Sequence, residues 1–137
     1  MASAGPYCAR RVSHVFLVDR IEPCLSFWVD LLGFEIRVRV GEADSLEFVT
    51  LGRDEVEVMY RTRSSMDEDA PGLAERMHGP SDVLYIEVDQ LENLIPKLDH
   101  ADIVIPLRQT CLGTQEVFVV EPSGRIVAFT TPYADAA

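Results

Sequence analysis

The side chains that could do chemistry are few, and their surroundings narrow what each could do. Three histidines occur among the 137 residues. His14 sits in an apolar run, His78 stands in a loop beside Gly79 and Pro80, and His100 lies near the end of a helical stretch whose C-terminal dipole an imidazolium would complement. The three cysteines, Cys8, Cys24 and Cys111, are an odd number with no C-x-x-C spacing, which reads as reduced thiols in a cytosolic protein. Cys24 falls between core positions of a helix. Cys111 lies in the loop Thr110-Cys111-Leu112-Gly113-Thr114, which itself contains no His or Arg, so it reads as an incidental thiol. Asp67, Glu68 and Asp69 form the densest charge run but lack the spaced oxygen ligands and the Gly of a calcium loop; a solvated loop is the simpler reading. No G-x-S-x-G, phosphate-binding loop or G-x-G-x-x-G is present.

What remains is a set of side chains that strand alternation would collect. Glu57, Met59 and Arg61 share one face of a strand, Tyr85 and Glu87 share a face of another, and Arg108 and Glu116 fall near the same mouth. Aromatic and Met surface with a few fixed charges suits a small organic ligand. The competing reading is that Glu87, Arg108 and Glu116 pair with one another, meet a second subunit or face solvent.

The elements that would position these residues are announced by a phrase that occurs twice. Val18-Asp19-Arg20-Ile21-Glu22 and Val88-Asp89-Gln90-Leu91-Glu92 share the form V-D-x-[I/L]-E, 70 residues apart. Each ends a β-friendly run at an Asp able to cap a helix, with a Glu three positions on able to reach back to the cap. Around the first copy, an apolar run over Val12 to Val18 leads into a helix whose apolar face is Ile21, Leu25, Trp28 and Leu32, stopped at Gly33. Strands are predicted over Phe34 to Val40, Leu46 to Leu51 and Val56 to Tyr60. Around the second copy, Asp82 to Val88 is a strand and Leu91, Leu94, Ile95 and Leu98 make a helix face. Strands over Ile103 to Leu107, Gln115 to Val120 and Arg125 to Thr130 follow, the last entered through a Glu121-Pro122-Ser123-Gly124 turn. A short helix is predicted at Pro71 to Met77, and frayed ends at Met1 to Ala9 and Asp135 to Ala137. The chain is thus α+β, two tandem β-α-β-β-β modules.

A chain of this length can bury roughly 68% of its unfolded surface, whereas each half alone would be marginal. One domain over residues 10–133 is expected, with a first module at 10–61, a linker at 62–80 and a second module at 81–133. The net charge of −11, with Lys97 as the only Lys, leaves no electrostatic footprint for nucleic acid. No apolar run reaches membrane-spanning length and no secretory leader opens the chain, so a cytoplasmic protein is expected.

Val18-Asp19-x-Ile21-Glu22-x-x-Leu25-x-Phe27-Trp28-x-x-x-Leu32-Gly33-Phe34, with Glu121-Pro122-Ser123-Gly124 before the last strand, resembles the vicinal oxygen chelate superfamily. That superfamily takes in glyoxalase I, bleomycin-resistance proteins, fosfomycin-modifying enzymes and extradiol dioxygenases, and the likeness spans Val12 to Pro132. The resemblance implies that each sheet curls, the mixed sheets forming a cup, and that catalytic members hold a divalent metal with side chains from the first and last strand of each module. Those positions fall on Ser13, Met59, Val83 and Ala128 here, none a carboxylate or imidazole. A one-residue slip of register would bring in His14 alone. The resemblance therefore implies a protein with no metal and no other cofactor. It would bind a small, partly apolar ligand in the cup through Ser13, Glu57, Met59, Arg61, Tyr85, Glu87, Arg108 and Glu116. The alternative is a metal-dependent lyase, isomerase or dioxygenase using His14, or a metal-free catalyst with Glu57, Tyr85 or Glu87 as acid or base. The resemblance also implies a twofold homodimer.

Overall fold

The computed structural model describes residues 6, 8–77 and 82–132. His78 and the segments 1–5 and 133–137 lie outside the described residues, so the loop histidine, the frayed C-terminus and most of the N-terminal segment have no structural counterpart below. The order is β1 (His14–Val18), a helix α1 (Glu22–Leu25) continuing in wide π-type turns over Ser26–Leu31, then β2 (Glu35–Glu42), β3 (Ser45–Arg53) and β4 (Val56–Thr62). A connecting helix α2 (Arg63–Asp69) and a 3₁₀ turn (Ala74–Arg76) lead to β5 (Val83–Glu87), α3 (Leu91–Leu98), β6 (Asp102–Gln109), β7 (Thr114–Val120) and β8 (Ile126–Pro132).

Each module is one four-stranded mixed sheet, in the order β1-β4-β3-β2 and then β5-β8-β7-β6. The first strand of each lies parallel to the last, and the remaining pairs are antiparallel. Alternation in β1 sends Phe16 and Val18 into the main core and Leu17 the other way, against Met66 and Ala74 of the connecting segment. Both modules feed the main core, Trp28, Val49, Leu51, Val58 and Tyr60 from the first and Ile86, Leu98, Val119, Val127 and Phe129 from the second.

The outer strands depart from simple alternation. Ile36 pairs with the core residue Leu51, but the register then shifts, so Val38 pairs with Thr50 and, with Val40, lies about half exposed instead of buried. β6 repeats the device: Ile103 opposes Val119, and after a shift Ile105 opposes Phe118. An extra residue in one strand bends the pair and turns later side chains to the other face, which curls each sheet at its outer edge.

Two local expectations are corrected. Neither Asp of the repeated phrase caps its helix. Ile21 holds the N-cap of α1 in helical geometry and has no side-chain acceptor to cap with, while Pro23 in the first turn leaves one fewer backbone donor to satisfy. The Glu22 carboxylate accepts the Leu46 N–H at 2.7 Å, and Asp19 pairs with Arg63 at 3.4 Å. In the second copy Gln90 occupies the N-cap of α3 in the left-handed region, φ 49°, which carries the chain out of the extended geometry a capping Asp needs. The acidic run, in turn, is not a loop. Thr62 caps α2 by accepting the Ser65 N–H at 3.3 Å, Met66 is buried, and Asp67, Glu68 and Asp69 ride on the exposed side. The segment Pro71 to Met77 carries only the 3₁₀ turn.

A buried polar chain joins the modules. The Trp28 indole donates to the Tyr60 hydroxyl at 2.7 Å, and Tyr60 donates to Glu121 at 2.5 Å. The other Glu121 oxygen accepts the Ser123 and Arg125 N–H groups at 2.9 Å each, and the Ser123 hydroxyl. With Glu121 only 1% exposed, this satisfaction is what permits a carboxylate there. Arg125 completes the junction by donating to the Leu17 carbonyl at 2.7 Å, with its guanidinium 5.4 Å from the Phe16 ring centre.

Candidate functional site

On the second sheet, the face opposite the core is built around three neighbours across strands. Tyr85 of β5 opposes Ala128 of β8, which opposes Phe118 of β7. Because Ala128 is small, the rings of Tyr85 and Phe118 meet above it edge to face, 5.8 Å apart. Arg108 closes the far side: its guanidinium lies 5.6 Å from the Phe118 ring centre and pairs with Glu116 at 3.3 Å. Glu116 is 7% exposed and Tyr85 is 55% exposed, so an inner carboxylate stands beside an open aromatic wall. Loss of water around the hydroxyl and then the adjacent Glu116 push the Tyr85 phenol up, so it keeps its proton and can donate at neutral pH. The structure thus brings Tyr85, Arg108 and Glu116 together. Glu87 shares the Tyr85 parity but lies two residues on, opposite Thr130 and without an ion pair among the described residues.

On the first sheet Glu57, Met59 and Arg61 do share the face opposite the core, since Val58 and Tyr60 point inward. Met59 opposes Val15 and Thr50. Glu57 stands between Arg11 at 3.7 Å and Arg37 at 3.6 Å, and Ser13 is half-buried just before β1. Arg61 is directed elsewhere: it pairs with Asp69 at 3.3 Å and donates to the Ser65 hydroxyl at 3.0 Å, docking α2 onto the sheet.

The four positions at which the resemblance implies metal ligands keep matching places in the two modules. Met59 lies across from Val15, two residues past Ser13, as Ala128 lies across from Tyr85, two residues past Val83. A hydroxyl, a thioether and two hydrocarbon side chains do not fit a divalent cation that wants imidazole, carboxylate or thiolate. His14 has the core parity, its ring 4.5 Å from that of Phe16, and burial holds its pKa below the usual imidazole value against the opposing pull of Asp82. Among the described residues, no three His, Cys, Asp or Glu side chains cluster closely enough to share an ion. Burial pushes the Cys24 thiol up to about 12, away from the reactive thiolate.

The sequence reading missed a cleft of about 540 Å³ at the β5–α3 junction, lined by Leu32, Phe34, Ile86, Leu94 and Phe129 and by charged residues from Arg53 to Glu55 and Glu87 to Asp89. Of the eight candidate residues only Glu87 reaches it. The signal was the second V-D-x-[I/L]-E copy, whose Asp89 is free for the cleft because it does not cap α3.

With this geometry in place, the comparisons are informative. Residues 11–129 match a family model described as the glyoxalase/bleomycin resistance protein/dioxygenase superfamily. Among solved structures, TioX from Micromonospora sp. ML1 superposes with a TM-score of 0.74 at 17% identity, covering 90% of this chain and 99% of that one. A protein of unknown function from Agrobacterium tumefaciens str. C58 gives 0.71 at 19% identity, with 93% and 97% covered. A lactoylglutathione lyase from Agrobacterium tumefaciens gives 0.67 at 12% identity, with 93% and 96% covered. At such identities the structural likeness carries the fold alone. No curated protein matches the chain.

Proposed function

Because this chain belongs to the glyoxalase/bleomycin resistance protein/dioxygenase superfamily, we propose that it uses the scaffold to bind a small, partly apolar molecule on the curled faces of its sheets, without a metal. The observation that carries this reading is the Tyr85, Phe118, Arg108 and Glu116 group. An open Tyr85 ring and a half-buried Phe118 ring supply apolar contact, and a Tyr hydroxyl, a guanidinium and an inner carboxylate supply fixed polar partners to orient a ligand. Met59, Ser13 and Glu57 line the matching face of the first module, with Glu87 at the margin. The role is sequestration or sensing of that ligand by a cytosolic protein, one domain over residues 10–133, acting as a twofold homodimer.

The chemistry of the donor set supports metal independence, since Ser13, Met59, Val83 and Ala128 offer no ligand that competes with water for a divalent ion. A melting-temperature screen of aromatic acids, phenols, amines and peptides, run in chelator, tests the reading. At a ligand concentration of 100 times Kd, binding adds about 2.7 kcal/mol of stability. The expected result is an upward shift with at least one class, lost in Tyr85→Ala. A screen in which no class shifts the melting temperature, or in which Tyr85→Ala responds like wild type, contradicts the reading.

A further inference from the structure

The cleft at the β5–α3 junction lies on the other side of the second sheet from the Tyr85 group. Its floor is Ile86 and Phe129, which strand alternation turns away from Tyr85 and Ala128. Val88 and Leu94, both half-buried, add apolar wall, and its volume of about 540 Å³ is that of a small-molecule site. The rim is acidic in effect. Arg53 is taken up by the carbonyls of Leu32 at 3.4 Å and Gly33 at 3.3 Å and by Asp54 at 3.9 Å. Among the described residues Glu55, Glu87 and Asp89 form no ion pair, and they outnumber the one remaining rim cation, Lys97.

The internal repeat supplies a control. The floor pair Ile86 and Phe129 corresponds in register to Phe16 and Tyr60 of the first module. There the equivalent place is filled by the chain itself, with the Arg125 guanidinium over Phe16 and Glu121 on Tyr60. A cation over an apolar floor beside a carboxylate is thus what this architecture encloses in the first module, and the second module leaves the same place open. Asp54 and Gln90, the two non-glycine residues with positive φ among the described residues, both stand on its rim and hold the two walls in turns that most residues resist.

We infer that this cleft is a second binding site, and that it takes a small amphipathic cation, an apolar body carrying a protonated amine. The body rests over Ile86, Val88, Leu94 and Phe129, and the ammonium sits at the rim between Glu55 and Asp89, with Glu87, whose parity is that of Tyr85, adding negative field from the end of β5. The test is amide-resolved NMR titration of the full chain with two probes of one shape and opposite charge, 2-(1-naphthyl)ethylamine and 1-naphthaleneacetate. The amine is expected to perturb Val56, Val88, Asp89 and Leu94 and to bind at least about tenfold more tightly than the acid, by electrostatic focusing at the rim. Raising the salt shrinks that preference. Glu87→Gln with Asp89→Asn removes most of it, and the exposed-turn variant Glu55→Gln, which leaves the core untouched, removes part. No perturbation at these residues up to millimolar amine, comparable binding of the acid, or shifts centred on Tyr85 and Phe118 overturns the assignment. The last outcome leaves the proposed function of the Tyr85 face standing while removing the second site.

Discussion

Glu121 is the residue on which the joining of the two modules most depends. It sits in a turn that the sequence marks by Pro and Gly, yet its carboxylate is fully enclosed and accepts bonds from Tyr60, Ser123 and Arg125. Glu121→Ala leaves the buried Tyr60 hydroxyl and two part-buried backbone donors without a partner, and a fully buried group so orphaned costs about 1–3 kcal/mol. A loss of roughly 3 kcal/mol or more is expected in urea unfolding; a change under about 1 kcal/mol contradicts the account of the latch. His14 carries a second prediction. Burial lowers its folded pKa below the unfolded value, so the folded state favours the neutral ring. Its contribution is complete above the unfolded pKa and is lost as pH falls through the folded one. Asp82 and Arg125 face it with opposite signs, and the net direction is still downward. Between about pH 7 and pH 5 the wild type should lose stability faster than His14→Gln, by chemical denaturation at each pH. Parallel profiles for the two proteins contradict this.

The elements were legible where periodicity was strong. The two strand-to-helix junctions, the Glu121 to Gly124 turn and all eight strands follow from alternation and turn residues, because burial on one face enforces them. Capping was misread for a local reason: V-D-x-[I/L]-E offers a capping pattern, but in one copy the helix starts later, with Ile21 at the N-cap and Asp19 two residues before it, and in the other the left-handed Gln90 intervenes. The real cap, Thr62, stands before a helix whose apolar content is little more than Met66 and Ala70, too weak a pattern to notice. The consequence is measurable in urea. Thr62→Ala should cost about 1 kcal/mol, the typical value for a lost N-cap. Asp19→Ala and Asp89→Ala should each cost under about 0.5 kcal/mol, since one has a solvent-exposed ion pair and the other no ion pair among the described residues. A cost near 1 kcal/mol for either Asp restores the capping box. The bulges in β2 and β6 were not legible either, because an inserted residue breaks parity without leaving a distinctive residue type.

At the scale of the whole molecule, two curled sheets share one hydrophobic core and carry two different kinds of surface. Tyr85 and Glu116 could be placed on one face from sequence because their strands alternate, whereas Arg108 comes opposite Glu116 only through the register shifts of β6. The cleft at the β5–α3 junction could not, because it depends on how the β3–β4 turn at Arg53 to Glu55 packs beside β5 and α3, a matter of tertiary contact. The central proposal is that this scaffold works without a metal, and it rests on Ser13, Met59, Val83 and Ala128 standing at the positions where the resemblance implies metal ligands. The most direct measurement is the metal content of the purified full chain by plasma mass spectrometry, after soaking in mixed divalent first-row metals and exhaustive dialysis. The account predicts close to no metal per chain, unchanged in His14→Ala; one tightly held metal per site, lost in His14→Ala, contradicts it.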